Sequence, residues 1–149
     1  MVSHKKFELG QTLMLILEDF QRRLDADLNE RNVEGIRPQH RVVFMHLDRF
    51  GASRSVDLAA TADIRPQSMM KIVHELEQLG LVSRRADPTD SRAKLVEFTA
   101  AGQKLIAELT RSTETVWDQY AKHLGSKKLE QSLEAFNSLL ASNKQGDKT

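Results

Sequence analysis

The sequence predicts a mainly α (α+β) protein. Long stretches carry apolar residues at three- and four-residue steps, only three Pro and seven Gly occur in 149 residues, and one short strand pair is bounded by turn residues. The length suits one compact domain with helical extensions and is enough for a core. Apolar residues make up 40% and charged residues 29%, a globular balance rather than a disordered one. Cys is absent, which excludes disulfides, thiol nucleophiles and thiolate zinc sites. Lys5-Lys6 is followed only by the short apolar run Leu13–Leu17, closed by Glu18-Asp19. No secretory signal or membrane span is expected, and a cytoplasmic address follows by default.

The first helix is expected over about 8–31, with Leu13, Ile16, Leu17, Phe20, Leu24 and Leu28 on one face. Gly35 interrupts it. Pro38 then opens a helix through about Phe50, with Val42, Val43, Met45 (or Phe44), Leu47 and Phe50 inward and Gly51 as its stop. Ser55 is the expected N-cap of a short helix, Val56 to Ala62, burying Leu58 and Ala59. After the turn Asp63-Ile64, Pro66 starts a helix to Leu79 with Met69, Ile72, Val73, Leu76 and Leu79 as its stripe, and Gly80 ends it. Two helices joined this closely form a helix-turn-helix pattern.

Two strands follow, 81–85 and 94–98, around a polar tip at 86–91. A hairpin in that place is a wing. Thr99 caps a long helix carrying Leu105, Leu109, Val116 (with Trp117), Tyr120 and Leu124. Gly125-Ser126 breaks it, and a last helix over about 127–141 presents Leu129, Leu133, Phe136, Leu139 and Leu140. The tail 143–149 is expected to fray. The predicted organisation is an N-terminal dimerisation helix (1–34), a winged helix-turn-helix DNA-binding module (35–98) and C-terminal dimerisation helices (99–149). The long terminal stripes need a partner surface, and a closed homodimer is the economical solution.

Net charge is only +1, so nucleic-acid binding has to come from local placement. Residues 35–95 hold ten Lys/Arg against seven Asp/Glu, while the rest holds twelve against fourteen. The second helix of the motif presents Arg65, Gln67, Ser68, Met70 and Lys71, with His74 one turn beyond Met70. Gln pairs with adenine, Lys reads guanine or binds phosphate, and a helix N-terminus attracts phosphate. Arg54 and Ser55 precede the motif's first helix and join the DNA-binding set. On the wing, Arg84 and Arg85 lie on the first strand and Arg92 just past the tip. An inserted Arg gains from the potential of a narrow minor groove. Asp90 is placed to hold the Arg92 guanidinium in a paired salt bridge.

The run Leu58-Ala59, Ile64-Arg65-Pro66-Gln67-Ser68-Met69, Leu76-Glu77-Gln78-Leu79-Gly80-Leu81-Val82, Arg85, Asp87-Pro88-Thr89-Asp90-Ser91-Arg92, Phe98-Thr99 and Gly102 resembles the multiple-antibiotic-resistance regulator (MarR) family. The Asp-Pro-x-Asp-x-Arg wing followed by a Thr-x-x-Gly helix start is its most specific part, and length and helix order match as well. The resemblance implies an obligate homodimer built from the terminal helices, with two winged modules on double-stranded DNA at a near-palindromic operator. It implies a repressor released by a small phenolic or other aromatic carboxylate effector, bound where the dimer region meets the winged module. Family position draws the expected ligand-binding set from Phe20, Arg22, Arg23, His40, Arg41, Phe44, Met45 and Trp117. One departure is Arg65-Pro66 where many members carry a Ser or Thr cap.

No cofactor, metal or catalytic residue is expected. His4, His40, His46, His74 and His123 show no metal spacing with a nearby acid, His46 with Asp48 coming nearest. No nucleophile motif or phosphate loop appears, so the chain is not read as an enzyme. The alternatives are a constitutive DNA-binding regulator without a ligand, and a helical interaction module or small enzyme with a vestigial wing.

Overall fold

The computed structural model describes residues 4–143. Its elements are α1 (His4–Glu30), α2 (Pro38–Phe50), β1 (Ser53–Arg54), α3 (Ser55–Ala62), α4 (Pro66–Gln78), β2 (Val82–Asp87), β3 (Asp90–Phe98), α5 (Ala100–Leu124) and α6 (Ser126–Asn143). Helices dominate, with one antiparallel sheet in the order β1-β3-β2. The expected tail falls on Asn143, which closes α6, and on 144–149, which lie outside the described residues.

Two units divide the chain. One is Leu28–Thr110, and the other joins the segments before and after it, with the divisions falling inside α1 and α5. The Leu28–Thr110 unit holds the winged helix-turn-helix. Its core joins Val43, Phe44 and Leu47 of α2, Leu58 and Ala59 of α3, Met69, Ile72, Val73 and Leu76 of α4, Val82 and Val96 of the hairpin, and Leu105 of α5. Apolar burial at helical spacing on three short helices is what holds them together, since helices this short are marginal in isolation. Phe44 stacks on Phe98 with ring centroids 6.0 Å apart.

Several expectations shift locally. On α2 the inward residues are His40, Val43, Phe44, His46 and Leu47, while Met45 is 72% and Phe50 59% exposed. The buried face is centred on Val43, Phe44 and Leu47, which turns Met45 outward, and Phe50 sits beyond the core against the His46 ring at 4.7 Å. Leu79 is half exposed because it is already the C-cap of α4. Ser55 opens α3 as its first residue, and Arg54 is the N-cap. The hairpin strands run farther than expected, to Asp87 and Asp90, leaving Pro88-Thr89 as the tip. β1 is the element the sequence reading missed. Two residues are too short for any period, and Ser53 and Arg54 are extended because they pair with Val96 and Leu95 of β3.

Gly102 explains the Thr-x-x-Gly pattern. A Cβ there would run into the Leu81 carbonyl oxygen and lie 2.9 Å from Phe98 Cδ1. Thr99 completes the joint: its hydroxyl donates to the Gly80 carbonyl at 2.6 Å and accepts the Gly102 N–H at 3.1 Å. The end of α4 is thereby stapled to the start of α5.

In the other unit, Leu24 and Val116 are buried and Tyr120 donates to Asp19 at 2.7 Å. Large apolar side chains stay exposed along α1 (Phe7, Leu13, Met14, Leu15, Ile16, Leu17) and α6 (Leu133, Phe136, Leu139, Leu140). Among the described residues, no helix is long and apolar enough to cross a membrane.

Candidate nucleic-acid interface

Three residues separate α3 from α4. Asp63 takes the left-handed conformation, φ 52°, that ends α3, and Ile64 N–H returns to the Ala59 carbonyl at 3.0 Å. Arg65 is the extended N-cap of α4, and Pro66 supplies its preset first turn. No side chain caps this end. Because Met69, Ile72, Val73 and Leu76 all turn inward, Arg65, Gln67, Ser68, Met70, Lys71 and His74 are exposed together. The arrangement offers amide, hydroxyl and cationic groups beside free helix N–H groups, the chemistry that phosphate and base edges accept.

The wing is built around Asp87. Its Oδ1 accepts the Thr89 N–H at 2.9 Å and the Thr89 hydroxyl at 2.8 Å, and its Oδ2 takes Arg54 Nε at 2.7 Å. These donors, the Thr89 backbone N–H foremost, hold the Asp87 carboxyl at about 2, below the ordinary 3.8. Asp87, a residue outside the expected site, thus closes the two-residue tip and ties it to β1. Arg54 is the other half of that tie rather than a free cation, and Ser55 beside it is half buried.

The expected Asp90–Arg92 salt bridge is not formed. Asp90 instead accepts the Arg92 backbone N–H at 3.0 Å and reaches toward Arg54 at 3.9 Å. A residue two along a strand can offer its amide to the carboxylate while its own side chain points away. Arg92 is left exposed, with no acidic partner among the described residues. The other two wing arginines differ: Arg84 pairs with Glu77 of α4, and Arg85 pairs with Glu97 of β3 at 2.9 Å. Cation count along a strand gave no hint of these partners, because Glu77 lies in another element.

The residues expected around a ligand fall in both units. In the winged unit Phe44 belongs to the core, Met45 is exposed, and Arg41 is half buried. His40 is 2% exposed; its Nδ1 accepts the Arg37 N–H at 3.2 Å and its Nε2 faces Glu75 Oε2 at 3.0 Å. Its position three residues past the helix-capping residue was the signal for this role. His46 is also buried, bonded to Ser53 Oγ at 3.1 Å. In the helical unit, Phe20 and Trp117 are half buried, and Arg22 and Arg23 bind Asp19 at 2.5 and 2.7 Å. Arg23 also lies over the Tyr120 ring at 5.2 Å and donates to Gln119 at 2.9 Å. A cleft of about 470 Å³ there is lined by Arg23, Gln119, Tyr120, Lys122 and His123. Of the expected ligand set, only Arg23 lines it. Among the described residues, no three His, Asp or Glu gather as a metal site.

A family model described as the MarR family matches residues 34–93, the helix-turn-helix and wing. A protein of Thauera aromatica named as a transcriptional regulatory protein for the hcr operon is 34% identical over 62 residues, 42% of this chain. That match spans 37% of the relative's length. The solved transcriptional regulator PA4135 is similar at 28% identity and TM-score 0.74, covering 89% of this chain and 96% of that one. NadR, solved in complex with 4-hydroxyphenylacetate, is similar at 27% identity and TM-score 0.70, over 88% of this chain and 91% of that one. A MarR-family protein from Bacillus stearothermophilus shares the fold at 17% identity and TM-score 0.74, covering 100% and 99%. The helix-turn-helix and wing at residues 34–93 thus match the MarR family, and the chain shares the winged-helix fold of solved transcriptional regulators along most of its length.

Proposed function

We propose that this protein is a dimeric, sequence-specific DNA-binding transcriptional repressor. Each copy lays α4 in a major groove and its wing tip in the adjoining minor groove. The observation that carries this reading is the outward row Arg65, Gln67, Ser68, Lys71 together with a wing-tip Arg92 that no acid neutralises among the described residues. The exposed apolar faces of α1 and α6 support a second copy as partner, because apolar patches of this extent are normally covered. A near-palindromic operator follows from two-fold symmetry.

Release by a small aromatic carboxylate is the regulatory half of the proposal. It is supported by the similarity to NadR, whose structure holds 4-hydroxyphenylacetate. Within the helical unit, Phe20, Arg22, Arg23 and Trp117 are the candidate surroundings, because an aromatic acid needs apolar walls and a cation. A ligand that favours the released state opposes DNA by the same coupling energy with which DNA opposes the ligand.

The test is duplex binding followed by fluorescence anisotropy across a salt series. Affinity should fall steeply, with a slope near −0.9 per phosphate contacted, and Lys71→Ala should reduce that slope by about one. A flat salt dependence would refute DNA binding. Thermal shifts with aromatic acids test the effector half: a stabilised protein that releases its duplex supports it, and no shift favours a regulator without ligand.

A further inference from the structure

We infer that His40 and Glu75 form a clamp that fixes the orientation of α4 and thereby sets how sharply the protein discriminates DNA sequences. The inference rests on the DNA-binding reading above. The apolar contacts of α4 through Met69, Ile72, Val73 and Leu76 are non-directional, so they keep the helix in place without fixing its tilt. Directional bonds come from its two glutamates. Glu75 faces α2, where it meets His40 Nε2 at 3.0 Å and Arg37 Nη2 at 2.5 Å. Glu77 faces the wing and pairs with Arg84. Residues two apart project from opposite sides of a helix, so α4 is held from both flanks.

The His40 arm is the stiffer on the α2 side. Its ring is buried, whereas Arg37 is 54% exposed at its side chain. Its Nδ1 is occupied as acceptor of the Arg37 N–H, which places the ring hydrogen on Nε2 and aims it at the carboxylate. Accepting that bond first, and the Arg37 guanidinium second, keeps the Glu75 carboxyl below its ordinary range, so it stays an acceptor. Glu75 lies seven residues beyond Ser68 and four beyond Lys71 on nearly the same helical stripe. The lever from clamp to Ser68 is about 10 Å, so a tilt of about 6° moves the reading end by about 1 Å. That displacement takes a base contact out of the ~2.7–3.2 Å hydrogen-bonding range. Phosphate contacts from long, flexible side chains tolerate it, so specific binding depends on the clamp and nonspecific binding does not.

The experiment uses the full chain, a duplex enriched by it from a random-sequence library, and a scrambled duplex of the same length. Glu75→Ala should cut affinity for the enriched duplex about tenfold and leave the scrambled duplex unchanged, a loss of the size carried by one bidentate base contact. Glu75→Gln, which retains an acceptor for His40 Nε2–H, should recover most of that loss. His40→Gln keeps a side chain suited to accept the Arg37 N–H but not the link to α4, so it should match Glu75→Ala. The double variant His40→Gln/Glu75→Ala should be no worse than either single one. Discrimination retained by Glu75→Ala, equal proportional losses on both duplexes, or multiplying effects in the double variant would overturn the clamp. Failure of the wild-type protein to bind duplex in a salt-dependent way would instead remove the DNA reading on which it rests.

Discussion

Gly102→Ala tests the joint between the end of α4 and the start of α5. The added methyl has no room: it meets the Leu81 carbonyl oxygen and sits 2.9 Å from Phe98 Cδ1. The carbonyl cannot simply withdraw, because it accepts the Thr99 N–H at 3.1 Å. Moving it also disturbs the Thr99 hydroxyl, which bonds both Gly80 and Gly102. Overpacking costs ~1–3 kcal/mol and a lost cap ~1 kcal/mol, so a loss of about 3 kcal/mol is expected. For a chain of this size that corresponds to a fall in Tm of roughly 6–12 °C. Gly80→Ala is the control. Its φ is +72° with nothing within 4 Å, so it carries only the left-handed penalty of ~1 kcal/mol and a fall of roughly 2–4 °C. Thermal melts followed by circular dichroism read both variants. A Gly102→Ala protein that melts with the wild type, or above Gly80→Ala, would refute the close-approach reasoning.

Three further outcomes are expected. Tyr120 is the chain's single Tyr, so phenolate absorbance reports that group alone; burial and the bond it donates to Asp19 push its pKa up to about 12. Its contribution to stability is present below the ordinary value of 10 and is lost as pH rises toward 12, and a midpoint near 10 in the folded protein would contradict the Asp19 contact. Asp87 is depressed to about 2, so its stabilising effect holds above 3.8 and fades as pH falls through 2. Asp87→Asn should therefore melt below wild type at neutral pH, with the gap closing in acid; a gap independent of pH would contradict the charged contact. Arg92→Ala should weaken duplex affinity by about tenfold with an unchanged Tm, and unchanged affinity would take the wing tip out of the interface.

The element plan was legible because the chain punctuates itself. Pro38 and Pro66 start helices where a missing N–H costs nothing, and Gly51 and Gly80 end them at positive φ, so α2 and α4 lie close to where the pattern puts them. What escaped were features decided by partners distant in sequence. β1 exists only by pairing with β3. Arg54, Arg84 and Arg85 read as free cations until Asp87, Glu77 and Glu97 are seen beside them. Asp90 read as an ion-pair partner for Arg92, whereas a carboxylate two residues earlier is better placed to bond the backbone amide. The outward side of α4 was legible for the opposite reason: a 3.6-residue period that buries Met69, Ile72, Val73 and Leu76 leaves Gln67, Ser68 and Lys71 no other direction. His40 was noticed as a polar ring near apolar groups; its capping place is local to α2, but its bond to Glu75 depends on how α2 meets α4.

Selection of duplexes from a random library, followed by hydroxyl-radical footprinting of the enriched sequence, tests the central claim most directly. Two copies with symmetric recognition helices should enrich an inverted repeat whose half-sites are centred about one helical turn, ~10 base pairs, apart or a little more. Protection should flank each half-site on the minor-groove side and vanish there in Arg92→Ala. Enrichment of no sequence, or protection of a single unrepeated half-site, would contradict it.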